Sequence, residues 1–492
     1  MADPELPDYA TTTAALPRPP PAPSPPQPPT PQRTPSNPCA DYRHTYRLEN
    51  SKGHPWLYLS LNSRAPDQKV SPLFFDGDKV EGQVGLNLQR TENIKFISIT
   101  LCGGVTAVGQ EEEVFLEETQ ILWMPSGNSS GRSPSKLLGK YTWPFSITFP
   151  SSVTAPSATK SARRYKRTFS ANPPSQASTD FAVATSTGYP LPNSFSERAS
   201  PVYVDYKLVV TVKKGYTMWS MNQTLTAKLA YLHRSIAEPP STLCVLAYED
   251  GRPPLGPEAD PEGWIVFPPL NVSGTLFDTR PANVQYSLSV ASPLSYAVDS
   301  PIPLLLTLKS SDSQALDLFT SPSATNSCLF LRRTVALGSH ATDESVQARS
   351  NNTFTATVAR AVFWPHEQGN SHEHPNDSDV DESKGGGVRS LRGEIYIAKS
   401  VKPSISFHRF SLRYDMVFIP PQATGFIPSA PQDEPLLAER VNISLSNAPG
   451  VQPRSHAPPG YTDPMVGDYN VTAGYLENGN QRFYHRHGFT TR

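Results

Sequence analysis

The sequence predicts an all-β protein: two consecutive β-sandwiches with a disordered tail at each end. Three observations carry this. Apolar residues recur at every second position in many short runs, the cleanest being Phe410, Leu412, Tyr414, Met416 and Phe418, and a period of two marks a half-buried strand. No segment of a dozen residues carries an apolar stripe at helical spacing. Glycine and proline clusters punctuate the runs, and a Pro-rich connector at 233–263 (Pro239-Pro240, Pro253-Pro254, Pro257, Pro261) parts them into two groups.

Bulk properties narrow the function. A chain of 492 residues leaves room for two to three domains. Its 53 prolines cluster at the N-terminus and between strand-rich regions, which predicts a folded centre. A net charge of −1 provides no global basic field for nucleic acid or an anionic membrane. Cys39, Cys102, Cys244 and Cys328 are far apart with no CxxC, the pattern of inert thiols in a reducing compartment. Met1 to Pro38 is rich in Pro, Ala and Thr and has no apolar h-region, so no signal peptide is expected. The longest apolar run, Ile302 to Leu308, is too short to span a bilayer.

Taken in order, residues 1–41 form a disordered Pro-rich tail in which the stretch from Arg18 to Pro29 favours polyproline II. Residues 42–232 form the first sandwich. Strands are expected at Tyr46–Leu48 and Trp56–Leu61, on either side of an Asn50–Gly53 turn. Three more follow between Ser71 and Trp123: one through Val80, Gly82, Val84, Leu86 and Leu88, one through Ile97, Ile99 and Leu101, and one from Val114 to Trp123. Tyr141–Pro150 is the next. Residues 151–200, dominated by Ser, Thr, Ala and Pro, read as a long insertion. Alternation returns at Tyr206, Leu208, Val210 and Val212, then at Leu225, Ala227, Leu229 and Tyr231. After the 233–263 linker, the second sandwich occupies 264–419, interrupted by a polar, acidic loop from His366 to Gly387. Residues 420–492 are read as a disordered tail.

These runs resemble a known family. Pro72-Leu73-Phe74-Phe75-Asp76-Gly77-Asp78 with Val80, Gly82 and Val84, then Ile97, Ile99, Leu101 and Gly103, is similar to the arrestin N-terminal domain, and most of all to the fungal arrestin-related proteins (α-arrestins). Gly109-Gln110-Glu111-Glu112, Trp143-Pro144-Phe145, Leu191-Pro192-Asn193-Ser194-Phe195 and Val204-Asp205-Tyr206 extend the likeness. Ser300–Leu304 and Phe410–Tyr414 resemble the C-terminal domain more loosely. The resemblance implies two arrestin-like, immunoglobulin-like sandwiches set as a clam, with no active site and no cofactor. The 151–200 insertion and the 366–387 loop depart from the pattern.

Binding motifs lie mostly outside the expected strands. Pro458-Pro459-Gly460-Tyr461 is a PPxY sequence. Two prolines pre-set a polyproline II backbone, little entropy is lost on docking, and the tyrosine one turn on enters a second pocket, which suits a WW domain. Similar proteins use PPxY to recruit WW-containing HECT-type ubiquitin ligases. Leu6-Pro7-Asp8-Tyr9 is a weaker LPxY variant that adds avidity if both motifs are used. Lys160, Arg163, Arg164, Lys166 and Arg167 form a basic knot. It reads as a solvated cluster, as a patch for acidic cargo or anionic lipid, or as kinase recognition around Ser170. His366, His372 and His374 among acidic residues lack the fixed geometry of a metal site, and no catalytic motif is present.

The expected function is therefore a non-catalytic adaptor. It would link cytosolic segments of membrane transporters or receptors to a WW-domain ligase and promote ubiquitin-dependent endocytosis and sorting. Its expected location is the cytoplasm, with recruitment to plasma membrane and endosomes. A ligase-independent trafficking or pH-signalling scaffold is the alternative.

Overall fold

The structure is a computed structural model that describes residues 42–65, 67–107, 111–125, 136–153, 188–197, 200, 202–215, 222–338, 341–342, 353–366, 387–431 and 434–461. These belong to one compact unit. Leu6, Pro7, Tyr9, the basic knot Lys160–Arg167 and Ser170 lie outside the described residues.

The fold is all-β, in two large sheets. The 8-stranded sheet draws only on residues before the connector, in the order Tyr42–Glu49, Pro55–Ser63, Lys79–Ala107, Val202–Lys214, Gln223–Leu232 and Leu73–Phe75. Glu113–Trp123 and Lys136–Thr148 also pair with Lys79–Ala107. Two of the strands expected between Ser71 and Trp123 are thus one element of 29 residues. Its first part pairs with Pro55–Ser63 and Lys136–Thr148, and its last part with Glu113–Trp123 and Val202–Lys214. Register shifts between Leu88 and Glu92 and between Ile94 and Phe96 mark where it changes partners. Such irregularities bend a strand and raise its twist, which curls the sheet over its own apolar face. The enclosed face is aromatic: Phe149 and Tyr206 each lie 5.0 Å or less from Tyr231, and the Tyr206 hydroxyl donates to the Pro192 carbonyl at 2.6 Å. The parallel pairing of Ala230–Leu232 with Leu73–Phe75 ends the order of this sheet.

The 12-stranded sheet runs Ser295–Ala297, Leu437–Ser444, Phe410–Phe418, Leu329–Leu337, Thr353–Pro365, Gly387–Ile397, Ser300–Ser310, Arg280–Ala291, Leu270–Leu276 and Phe426–Pro428, with Trp264–Val266 also paired to Arg280–Ala291 and Ile405–Phe407 to Phe410–Phe418. Here Thr353–Pro365 changes partners. Thr353–Arg360 pairs with Leu329–Leu337, and Ala361–Pro365 with Gly387–Ile397. A second parallel pair, Ser295–Ala297 with Asn442–Ser444, ends the order.

Two boundaries move, and the connector carries an element of its own. The chain beyond 419 is not all tail: Phe426–Pro428 and Leu437–Ser444 are strands, and Val441 and Ile443 are buried in the core. Leu437 and Ala438 fall next to each other and only Val441 and Ile443 alternate with polar residues, so the period is weak in sequence. The 151–200 insertion is shorter at its end, because Leu191 and Phe195 are buried and the Phe195 N–H donates to the Val204 carbonyl. The 233–263 connector holds a helix, Thr242–Glu249, whose first turn is capped by Ser241 Oγ accepting from the Cys244 N–H at 3.1 Å.

Aromatic rings join the two sheets. Phe115 meets Phe407 at 4.9 Å between ring centres, and Phe195 meets Phe410 at 5.2 Å. Arg333 and Glu197 pair beside them at 2.9 Å.

Candidate interaction site

The outward face of the second sheet carries the site. In a half-buried strand, residues flanking Ile395 face water. Arg392, Glu394 and Tyr396 occupy that side of Gly387–Ile397. Register sets Glu394 opposite Pro303 and Val362, and Arg392 opposite Leu305 and Trp364. Apolar residues therefore flank two charged ones on a face that the period assigns to solvent.

Two segments cover that face. The connector brings Pro253 and Pro254 across it, and Arg392 Nη1 donates to the Pro254 carbonyl at 3.1 Å while Arg392 Nε donates to His366 Nδ1 at 3.1 Å. Burial and the Arg392 cation lower the affinity of His366 for a proton. Residues 454–461 come back from the end of Leu437–Ser444. Ser455 Oγ donates to one Glu394 oxygen, and the His456 N–H donates to the other at 3.1 Å. Glu394 is 5 % exposed in consequence. Hydrogen bonds to a carboxylate are among the stronger ones in proteins. Between the segments lies a cavity of about 190 Å³, lined by Trp264, Pro303, Leu305, Trp364 and Arg454 among others. Burial, the largest cause, holds the His456 pKa below the usual imidazole range, with Glu394 opposing and Arg392 and Arg454 adding to it.

Pro458, Pro459 and Tyr461 end the described chain on this face. They do not adopt the extended form expected from two prolines. The Tyr461 N–H donates to the Pro458 carbonyl at 3.0 Å, and Gly460 has φ of +96°. This is a β-turn with glycine where a positive φ is required and proline where φ near −65° is favoured, the signature of type II. The Tyr461 ring then stands edge-on to Trp364, 6.3 Å between centres. Pro459 and Gly460 are exposed and Tyr461 is half-buried.

Trp364, Glu394, Ser455 and His456 belong to this arrangement and were not singled out by sequence reasoning. One signal pointed to them. In Ile302–Leu306 the apolar residues fall on both faces, the mark of a strand covered on both sides.

No protein-family model matches the chain, and no curated protein matches it.

Proposed function

We propose that the chain is a non-catalytic adaptor of the arrestin-like kind, in which a two-sheet β scaffold recognises cytosolic segments of membrane proteins and the Pro458–Tyr461 motif engages a WW-domain HECT-type ubiquitin ligase. The observation that carries this reading is the motif's place: an intact PPxY sequence at the surface of an all-β body whose sequence resembles α-arrestins. Tethering supplies the mechanism. A ligase held beside its cargo acts at a high effective concentration, without chemistry from the adaptor itself. No described helix is long and apolar enough to cross a membrane, which is compatible with a peripheral role at plasma membrane and endosomes. Arrestin-like sandwiches, the boundary at 233–263, and the basic residues Lys160–Arg167 as a cargo or lipid contact belong to this reading.

A ligase-independent scaffold is the second reading, favoured by the folded state of the motif, since a turn packed on Trp364 is not an extended ligand. Proximity labelling in cells separates the two. The adaptor reading expects Tyr461→Ala combined with Tyr9→Ala to lose the ligase while keeping cargo. Unchanged ligase labelling and cargo turnover in that variant would exclude it.

A further inference from the structure

We propose that the Glu394–Trp364 face is an intramolecular docking surface for the segment Arg454–Tyr461, and that this docking competes with any partner that reads Pro458–Tyr461 in extended form. The inference rests on the adaptor reading and deepens it, by making access to the motif a conformational equilibrium within the chain.

Three features argue for it. Glu394 sits on the solvent side of its strand, yet it is buried, and residues of the returning segment satisfy both its oxygens. That segment is therefore a fitted occupant of the face. The motif itself is closed. A β-turn holds its first and fourth Cα atoms within about 7 Å, whereas polyproline II sets them about 9 Å apart. A partner that reads the extended form must break the Tyr461 N–H bond to Pro458 and reset Gly460. Finally, the Tyr461 ring is already committed to Trp364, so it cannot enter a partner's pocket at the same time.

Competition of this kind lowers apparent affinity by the fraction of chains in the open state. The test uses the full chain carrying Tyr9→Ala and a synthetic peptide of residues 450–466, each titrated by calorimetry with an isolated WW domain of a HECT-type ligase. The full chain is expected to bind about tenfold more weakly than the peptide. Glu394→Gln and Trp364→Ala should recover the peptide's affinity. Ser455→Asp should do the same from an exposed position by setting a like charge against Glu394, and it guards against a sheet variant that fails to fold. Equal affinity of chain and peptide, unmoved by all three substitutions, overturns the docking. If the peptide itself does not bind, the adaptor reading falls, and amide exchange decides the docking alone. Protection of the Tyr461 N–H that is lost in Glu394→Gln upholds it, and absence of protection in the unsubstituted chain overturns it.

Discussion

Arg333 Nη1 donates to Glu197 Oε1 at 2.9 Å, tying the strand Leu329–Leu337 of one sheet to the segment that leads into Val202–Lys214 of the other. The charges of both reach Lys402, whose Nζ stands 5.7 Å from the centre of the Phe195 ring. Arg333 is ion-paired with Glu197 at the junction of the sheets, and Lys402 feels both charges.

Lys402 makes this junction sensitive to alkaline pH. Burial pushes its pKa down to about 8, Glu197 opposes the shift, and Arg333 adds to it. The folded chain thus binds fewer protons than the unfolded one between pH 8 and about 10.5. Stability from this group rises with pH across that window and is lowest below pH 8, where the buried ammonium is charged. Lys402→Met removes the dependence. Urea midpoints should show the substituted protein equal to or more stable than the original at pH 7, by up to about 3 kcal/mol. The difference should shrink steadily toward pH 10.

Glu197→Gln removes the carboxylate to which Arg333 donates and which opposes the Arg333 charge at Lys402. The expected cost is about 3 kcal/mol at pH 7. Adding Lys402→Met should return part of that loss, because the like charge is gone. A double-mutant cycle in chemical denaturation measures the coupling, and strictly additive effects would mean Glu197 and Lys402 act independently.

A second titration lies within the first sheet. Asp205 has its pKa raised to about 6 by burial, with Lys228 and Lys207 opposing and Glu112 adding to the rise. The folded state then holds a proton that the unfolded state releases between about pH 4 and 6, so stability from this carboxyl falls as pH rises through that range. Asp205→Asn is expected to gain about 2 kcal/mol at pH 7 and nothing at pH 4. Thermal unfolding at the two pH values gives the comparison.

Gly82 tests the close approach of strands. A Cβ there would lie 2.0 Å from the Ser60 carbonyl oxygen and 2.9 Å from Leu61 Cα, both backbone atoms of the paired strand Pro55–Ser63. Backbone cannot swing aside as a side-chain tip does. Gly82→Ala is expected to cost about 3 kcal/mol or more and to lower the melting temperature accordingly.

What the sequence made legible follows from the period of its side chains. Tyr206, Leu208, Val210 and Val212 alternate, and all four are buried as that alternation requires. Leu437–Ser444 was hidden because its alternation extends over only Val441 and Ile443, and it takes its place from pairing with Phe410–Phe418. The unity of Lys79–Ala107 was hidden too, since the polar stretch Gln89–Asn93 interrupts the alternation where the strand changes partners. At the candidate site, the four motif residues were visible as letters. Proline followed by glycine at the central positions is itself a local turn signal; what the letters did not show is that Tyr461 would stand against Trp364, far away in the chain. Pro–Pro alone favours extension, and the glycine that follows it redirects the chain.

The parallel pairs that end each sheet have a consequence for synthesis. Leu73–Phe75 leaves the ribosome early, but its partner Ala230–Leu232 emerges only after nearly all the rest of that sheet. Ser295–Ala297 waits in the same way for Asn442–Ser444. Long-range strand pairing is slow and leaves unpaired edges exposed meanwhile. Each half of the nascent chain is therefore completed by its own last strand. A chain cut short before residue 232 or before residue 444 would present an open sheet edge to its neighbours, and aggregation would be its characteristic failure.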